Sequence, residues 1–153
     1  MKKILLFKLM IIVLVSFSQD FNINLKSGDF QLDQTFDLTD LTQNNYRLLL
    51  LKEIPTDSDK MNMERLGVNF LEYIPENKYI VSLDHDVNKE QLLLYNIMSI
   101  NRILPSYKID RKLKNENFPE WCIKDGMLFI KIICYDDFNL EDNSDEFLRF
   151  SEL

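Results

Sequence analysis

The run RLLLLKEI at residues 47–54 constrains the fold more than any other stretch of this 153-residue chain. Consecutive leucines present apolar side chains to both faces of an extended backbone, so the run predicts a central strand covered on both sides. Pro55 ends it. Thr56 can cap a helix whose first turn carries Asp57 and Asp59, where the positive end of the helix dipole favours carboxylates. Gly67 is placed to adopt the left-handed stop, so a helix is expected over residues 56–66. A second strand at 68–74 (VNFLEYI) and a third at 79–84 (YIVSLD) flank a turn at 75–78. So short a connection implies an antiparallel hairpin.

Asp86 or Asn88 can cap a second helix through Asn96, in which Leu93 meets Ile97 and Leu94 meets Met98. Residues 100–109, interrupted by Pro105, read as a fourth strand at a sheet edge, where proline's missing donor is tolerated. The order β-α-β-β-α-β over residues 46–110 predicts an α+β fold of the ferredoxin-like type, with two helices on one face of a four-stranded antiparallel sheet. The opposite face of the strands at 47–54, 68–74 and 79–84 is then open, and its apolar residues predict a docking surface.

The flanks read differently. Residues 1–18 begin with Lys2 and Lys3, continue into the apolar run LMIIVLV and end in Ser-Phe-Ser, the small-x-small pattern of a cleaved secretory signal. Lys8 interrupts the apolar stretch, which falls short of the roughly 20 residues a spanning helix needs, so no stable membrane span is expected after cleavage. The chain is expected to be secreted. Residues 19–45 alternate apolar and polar weakly, through Phe21, Ile23, Leu25, Phe30 and Leu32, with Ser27-Gly28-Asp29 as a turn, and suit either a short hairpin or an extended arm. Residues 111–126 form a polar linker and turn. Residues 127–135 (MLFIKIICY) predict a fresh strand and 140–153 an acidic helical segment, together the start of a second α+β unit that ends before completion.

Charge and composition remove several function classes. Lys2, Lys3 and Lys8 precede Gln19 and no acid does, so the formal charge of −7 for the whole chain becomes more negative from Gln19 onward. A surface of that sign repels phosphate backbones, and nucleic-acid binding is not expected. Only three glycines occur, Gly28, Gly67 and Gly126. Phosphate-cradling loops, dinucleotide fingerprints and nucleophile elbows each need several, so no cofactor-binding residues are assigned.

His85 is the single histidine. A serine, histidine and aspartate mechanism would need it as the base, yet it lies in Leu83-Asp84-His85-Asp86, where a strand gives way to a turn, with no nucleophile placed beside it. It reads as a solvated turn histidine, and no catalytic residues are assigned. Cys122 and Cys134 lack a nearby histidine and are not expected to be nucleophiles. If Asp125-Gly126 is a hairpin turn, Lys124 pairs with Met127 and Cys122 faces Phe129, too far from Cys134 for a disulfide. The hairpin and the bridge exclude each other. One histidine and two separated cysteines supply no zinc spacing. The oxygen-rich run Asp136, Asp137, Asn139, Glu141, Asp142, Asn143, Asp145 and Glu146 resembles a calcium loop, but Asp142 stands where glycine is needed and Leu148 where a bidentate glutamate belongs. A solvated acidic helix start explains it better, and no metal ligands are assigned.

Phe21 to Asp33 (FNINLKSGDFQLD), the strand-IPT-helix-Gly-strand-YIP-turn-strand pattern of residues 46–83, NIMSINRILPSYKI at 96–109 and FPEW at 118–121 resemble the amino-terminal region of secreted subtilisin-like serine protease precursors of the Bacteroidetes type. The resemblance implies a ferredoxin-like propeptide that assists folding of a catalytic domain and inhibits it until cleaved. Its implied partner is a subtilisin-like catalytic domain, in cis if the chain is a fragment. The aspartate, histidine and serine motifs of that family are missing from this sequence. A free-standing secreted protease inhibitor or protein-binding module is the alternative reading, and a surface or adhesive component a further one.

Overall fold

A computed structural model describes residues 21–42 and 44–139. The signal-like residues 1–18, the acidic segment at 140–153 and the part of the calcium-like run beyond Asn139 lie outside them.

The described residues form an α+β arrangement built on an antiparallel sheet. An amino-terminal hairpin pairs β1 (Asn22–Leu25) with β2 (Gly28–Gln31) across a turn at Lys26 and Ser27. The main sheet contains β3 (Tyr46–Leu51), β4 (Val68–Ile74), β5 (Lys78–Leu83) and β6 (Ile97–Arg102), in the order β4-β5-β3-β6 with every neighbouring pair antiparallel. Helix α1 (Asp57–Arg65) connects β3 to β4, and α2 (Lys89–Leu92), extended by a 3-10 turn at Leu93–Tyr95, connects β5 to β6. Single helical turns α3 (Pro105–Lys108) and α4 (Arg111–Lys114) follow, and a two-residue hairpin pairs β7 (Ile123–Lys124) with β8 (Met127–Leu128).

The leucine run behaves as expected: Leu48, Leu49, Leu50 and Leu51 are all buried. Alternation divides them between two cores. Leu49 and Leu51 join Val68, Tyr79, Val81, Leu83 and Ile100 beneath Met63 of α1 and Leu92 of α2. On the opposite face, Leu48 joins Ile74, Ile80 and Ile103 beneath Ile23 and Leu32 of the amino-terminal hairpin. Ser27 Oγ donates to the Tyr107 carbonyl at 2.6 Å, and the Asp33 backbone N–H to Asn101 Oδ1 at 3.0 Å, fixing the hairpin at both ends. The face expected to be open for docking is therefore filled by the chain's own hairpin. An apolar strand face left in water costs about 25 cal/mol per Å², and residues 21–32 are the nearest apolar alternation available to cover it.

Helix α1 has its expected boundaries. Thr56 Oγ1 accepts from the Asp59 N–H at 3.1 Å while Asp59 Oδ2 accepts from the Thr56 N–H at 3.0 Å, a reciprocal capping box. Gly67 stops the helix at φ 83°, where an added Cβ would lie 2.7 Å from the Asp84 Cβ.

Other boundaries depart from expectation. The central strand stops at Leu51, and Ile54 is exposed. The second helix is shorter: Asn96, left-handed at φ 55°, ends the 3-10 turn, so Ile97 and Met98 belong to β6 and Leu93 and Leu94 face solvent. The fourth strand accordingly covers Ile97–Arg102 and not residues 100–109, because Pro105 opens α3, where its fixed φ suits a first helical position. The polar linker contains α4, capped by Asp110, whose Oδ1 accepts from the Lys112 N–H at 2.8 Å.

The carboxy-terminal hairpin has the expected register, Lys124 opposite Met127, and the Phe129 N–H donates to the Cys122 carbonyl at 2.8 Å. Yet strand structure ends at Leu128, where a strand through Tyr135 was expected. Among the described residues, nothing pairs with residues 130–135 in a ladder, and an apolar sequence without a neighbouring strand gains no ladder hydrogen bonds.

Candidate protein-binding surface

Predicted chemical residues stay dispersed. His85 sits exposed in the turn between β5 and α2. Cys122 is buried with its Sγ 2.8 Å from the Pro119 carbonyl, Cys134 is exposed, and the two are not bridged. Among the described residues, no group of three or more His, Cys, Asp or Glu side chains is arranged to hold a metal, and no helix is long and apolar enough to cross a membrane.

Buried charge serves the scaffold. Arg47 lies on the helix-bearing side of the sheet and is 0% exposed. Its Nε donates to the Asp37 carbonyl at 2.8 Å, Nη1 to those of Asn44 and Tyr46 at 2.6 and 2.9 Å, and Nη2 to that of Thr39. Burial pushes its pKa below the ordinary arginine value, against the attraction of Asp37 and Asp40. Arg102 beside it pairs with Asp37 Oδ2 at 3.3 Å and Asp40 Oδ2 at 3.1 Å. Desolvation raises the Asp37 carboxyl, but hydrogen bonds from Thr39 and the Arg102 charge outweigh it and hold the group below its usual value. The two arginines thus fasten the loop at 37–46 to the sheet. Lys78, on the hairpin side and 1% exposed, pairs through Nζ with Glu76 at 2.8 Å.

A groove of about 510 Å³ runs along the hairpin between Asn22, Asn24, Asp29, Gln31 and Glu76. Asn24 Nδ2 donates to Asp29 Oδ1 across it, so two of its polar groups satisfy each other.

Exposed apolar surface concentrates elsewhere. Trp121, Ile123, Met127, Leu128, Phe129, Ile130, Ile132 and Ile133 all face solvent, with Trp121 86% and Ile133 77% exposed. Both ends of this stretch are held. Cys122 is buried at one end and receives the Phe129 N–H. At the other, Tyr135 packs against Tyr46 with the rings tilted by 42° and their centroids 4.9 Å apart, and the Tyr46 hydroxyl donates to Asp137 Oδ1 at 3.0 Å. Desolvation, reinforced by that bond and the Asp137 charge, pushes the Tyr46 phenol up to about 12. Burial likewise raises Tyr135, with help from Glu72 and Asp137. Lys124, Asp125, Gly126 and Lys131 interrupt the stretch, and its large apolar side chains in water make it a candidate interaction surface. The apolar periodicity of MLFIKIICY signalled burial but not against what, and the Tyr46, Tyr135 and Asp137 clasp carried no local signal at all.

A family model described as a domain of unknown function (DUF8729) matches residues 20–104. The match takes in the hairpin, the arginine-fastened loop and the whole main sheet, and stops before the exposed apolar stretch. No curated protein and no solved structure matches the chain.

Proposed function

The chain belongs to the DUF8729 family, and we propose that it acts as a protein-binding module, the propeptide-type part of a secreted subtilisin-like serine endopeptidase precursor. The observation that carries the proposal is the solvent-facing apolar stretch from Trp121 to Ile133, held at one end by the buried Cys122 and at the other by the half-buried Tyr46 and Tyr135. Such a stretch gains by removal from water, and a catalytic domain of the kind implied by the sequence resemblance is the partner that would cover it. The strand order β4-β5-β3-β6, with helical crossovers after β3 and β5, supports a ferredoxin-like reading of the main sheet. The signal-like residues 1–18 support export.

In this reading the module works by binding energy and donates no catalytic group. The outer sheet face is occupied by Ile23 and Leu32, so contact with the partner falls to residues 121–133. Addition of the chain to a subtilisin-like protease should slow peptide hydrolysis, or raise the yield of active enzyme on refolding. Phe129→Asp with Ile132→Asp should weaken either effect at least tenfold while leaving the fold intact, since both side chains are exposed. Absence of both effects in the unsubstituted chain would refute the reading. An inhibitor acting in trans, not as part of a precursor, would give inhibition without any gain in refolding.

A further inference from the structure

We propose that two copies of this chain associate by exchanging strands, residues 127–133 of each copy pairing along the outer edge of β4 in the other. The two edges of the main sheet are treated unequally. At β6 the Ile100 N–H donates to the Thr35 carbonyl at 2.7 Å and the Ile100 carbonyl accepts from the Asp37 N–H at 2.8 Å, so the chain covers that edge itself through a parallel bridge at Phe36. Beyond β4, among the described residues, there is no paired strand. An edge strand presents a row of unpaired N–H and C=O groups, and proteins usually blunt it with lysine, proline or a cover. VNFLEYI contains neither lysine nor proline; the irregularity between Phe70 and Glu72 is its one interruption.

The same molecule carries a strand without a sheet. MLFIKII has three isoleucines and a phenylalanine, residues that favour extended backbone, and beyond its first two residues and the Phe129 N–H, which donates to the Cys122 carbonyl, none of it is paired. Donor and acceptor also share a face of the sheet: Tyr135, two positions beyond Ile133, and Leu71 of β4 both pack, half-buried, against the outer core. The apolar segment therefore lies close in sequence to an anchor on the face to which β4 contributes Leu71, yet makes no ladder with its own β4. One donor and one acceptor per copy close on each other about a two-fold axis and leave no edge over for a third copy. The pairing uses part of the surface assigned above to a protease domain, so the two associations exclude each other on any one copy, and concentration-dependent mass distinguishes this one.

The test is sedimentation velocity of the full chain over a hundredfold concentration range, joined to amide hydrogen exchange at each end of it. The expected result is a doubling of mass with concentration, and exchange protection that rises together in residues 68–74 and 127–133. Ile130→Lys with Ile132→Lys, at two exposed positions, should return the chain to a monomer. A monomer at every concentration overturns the proposal, as does protection that is independent of concentration, protection rising elsewhere, or a dimer that survives the double substitution.

Discussion

Ile23 of the amino-terminal hairpin and Leu48 of the central strand share one buried cluster, each 1% exposed. That shared cluster makes a three-layer arrangement in which helices cover one face of the sheet and the hairpin covers the other. It also separates a structural hairpin from a loose arm. Replacing Ile23 by Ala should lower the free energy of urea unfolding by about 2–4 kcal/mol, as core truncations of this size do. A loss below about 0.5 kcal/mol would mean that the hairpin does not pack on the sheet in solution.

What could be read from the sequence followed distance along the chain. The leucine run, the Thr56 and Asp59 cap and the Gly67 stop are local signals: β4 and α1 emerged close to their expected bounds, and β3 at its expected place though it ends at Leu51. The weak alternation of Phe21, Ile23, Leu25, Phe30 and Leu32 left a hairpin and an extended arm both open, and nothing local states which surface it covers. Tertiary placement decided that, and with it the loss of the expected docking face. Arg47 was hidden for a related reason. A cation opening an apolar strand reads as a solvent-facing boundary, whereas here carbonyls from residues 37–46 converge on it. At the second helix, Leu93 and Leu94 have helical spacing with Ile97 and Met98, but the left-handed Asn96 ends the turn and leaves both leucines exposed.

Arg47 should be among the least replaceable polar residues. Truncation to Ala removes the donors for four backbone carbonyls while leaving a buried void. Unsatisfied buried acceptors and lost packing together should cost about 3–5 kcal/mol. Lys, with one compact ammonium, cannot reach the same set and should recover only part of that loss. Chemical denaturation of both variants, with circular dichroism to establish that they fold, checks the order; equal stability of Arg47→Ala and the parent chain would contradict it.

Gly67 is a second sensitive position, for steric reasons. At φ 83° an L side chain is strained, and its Cβ would come within 2.7 Å of the Asp84 Cβ. The approach is fixed because the Asp84 N–H donates to the Gly67 carbonyl at 2.8 Å, tying the end of α1 to the end of β5. Gly67→Ala should therefore destabilise by about 1–3 kcal/mol, in contrast to the gain an alanine gives where φ is negative. Differential scanning calorimetry would show this as a lower melting temperature; an unchanged or higher one would mean that the left-handed stop is not retained.

The Tyr46 and Asp137 bond predicts how the chain responds to alkali. Desolvation first, and then the hydrogen bond and charge of Asp137, raise the Tyr46 phenol from its ordinary value of 10.0 to about 12. A folded-state pKa above the unfolded one means that folding favours the protonated phenol. Its contribution is thus complete below about pH 10 and disappears as pH rises through about 12. Because the pair is partly open to solvent, that contribution is on the order of 1 kcal/mol and not the full value of the shift. Absorbance titration at the phenolate band should show a late-titrating component that shrinks by one tyrosine in Tyr46→Phe, since Tyr79, Tyr107 and Tyr135 are raised as well. The same substitution should release residues 135–137, detected as faster amide exchange there with the β3 amides unchanged. If Tyr46→Phe alters neither the titration nor the exchange of those residues, the clasp does not exist in solution.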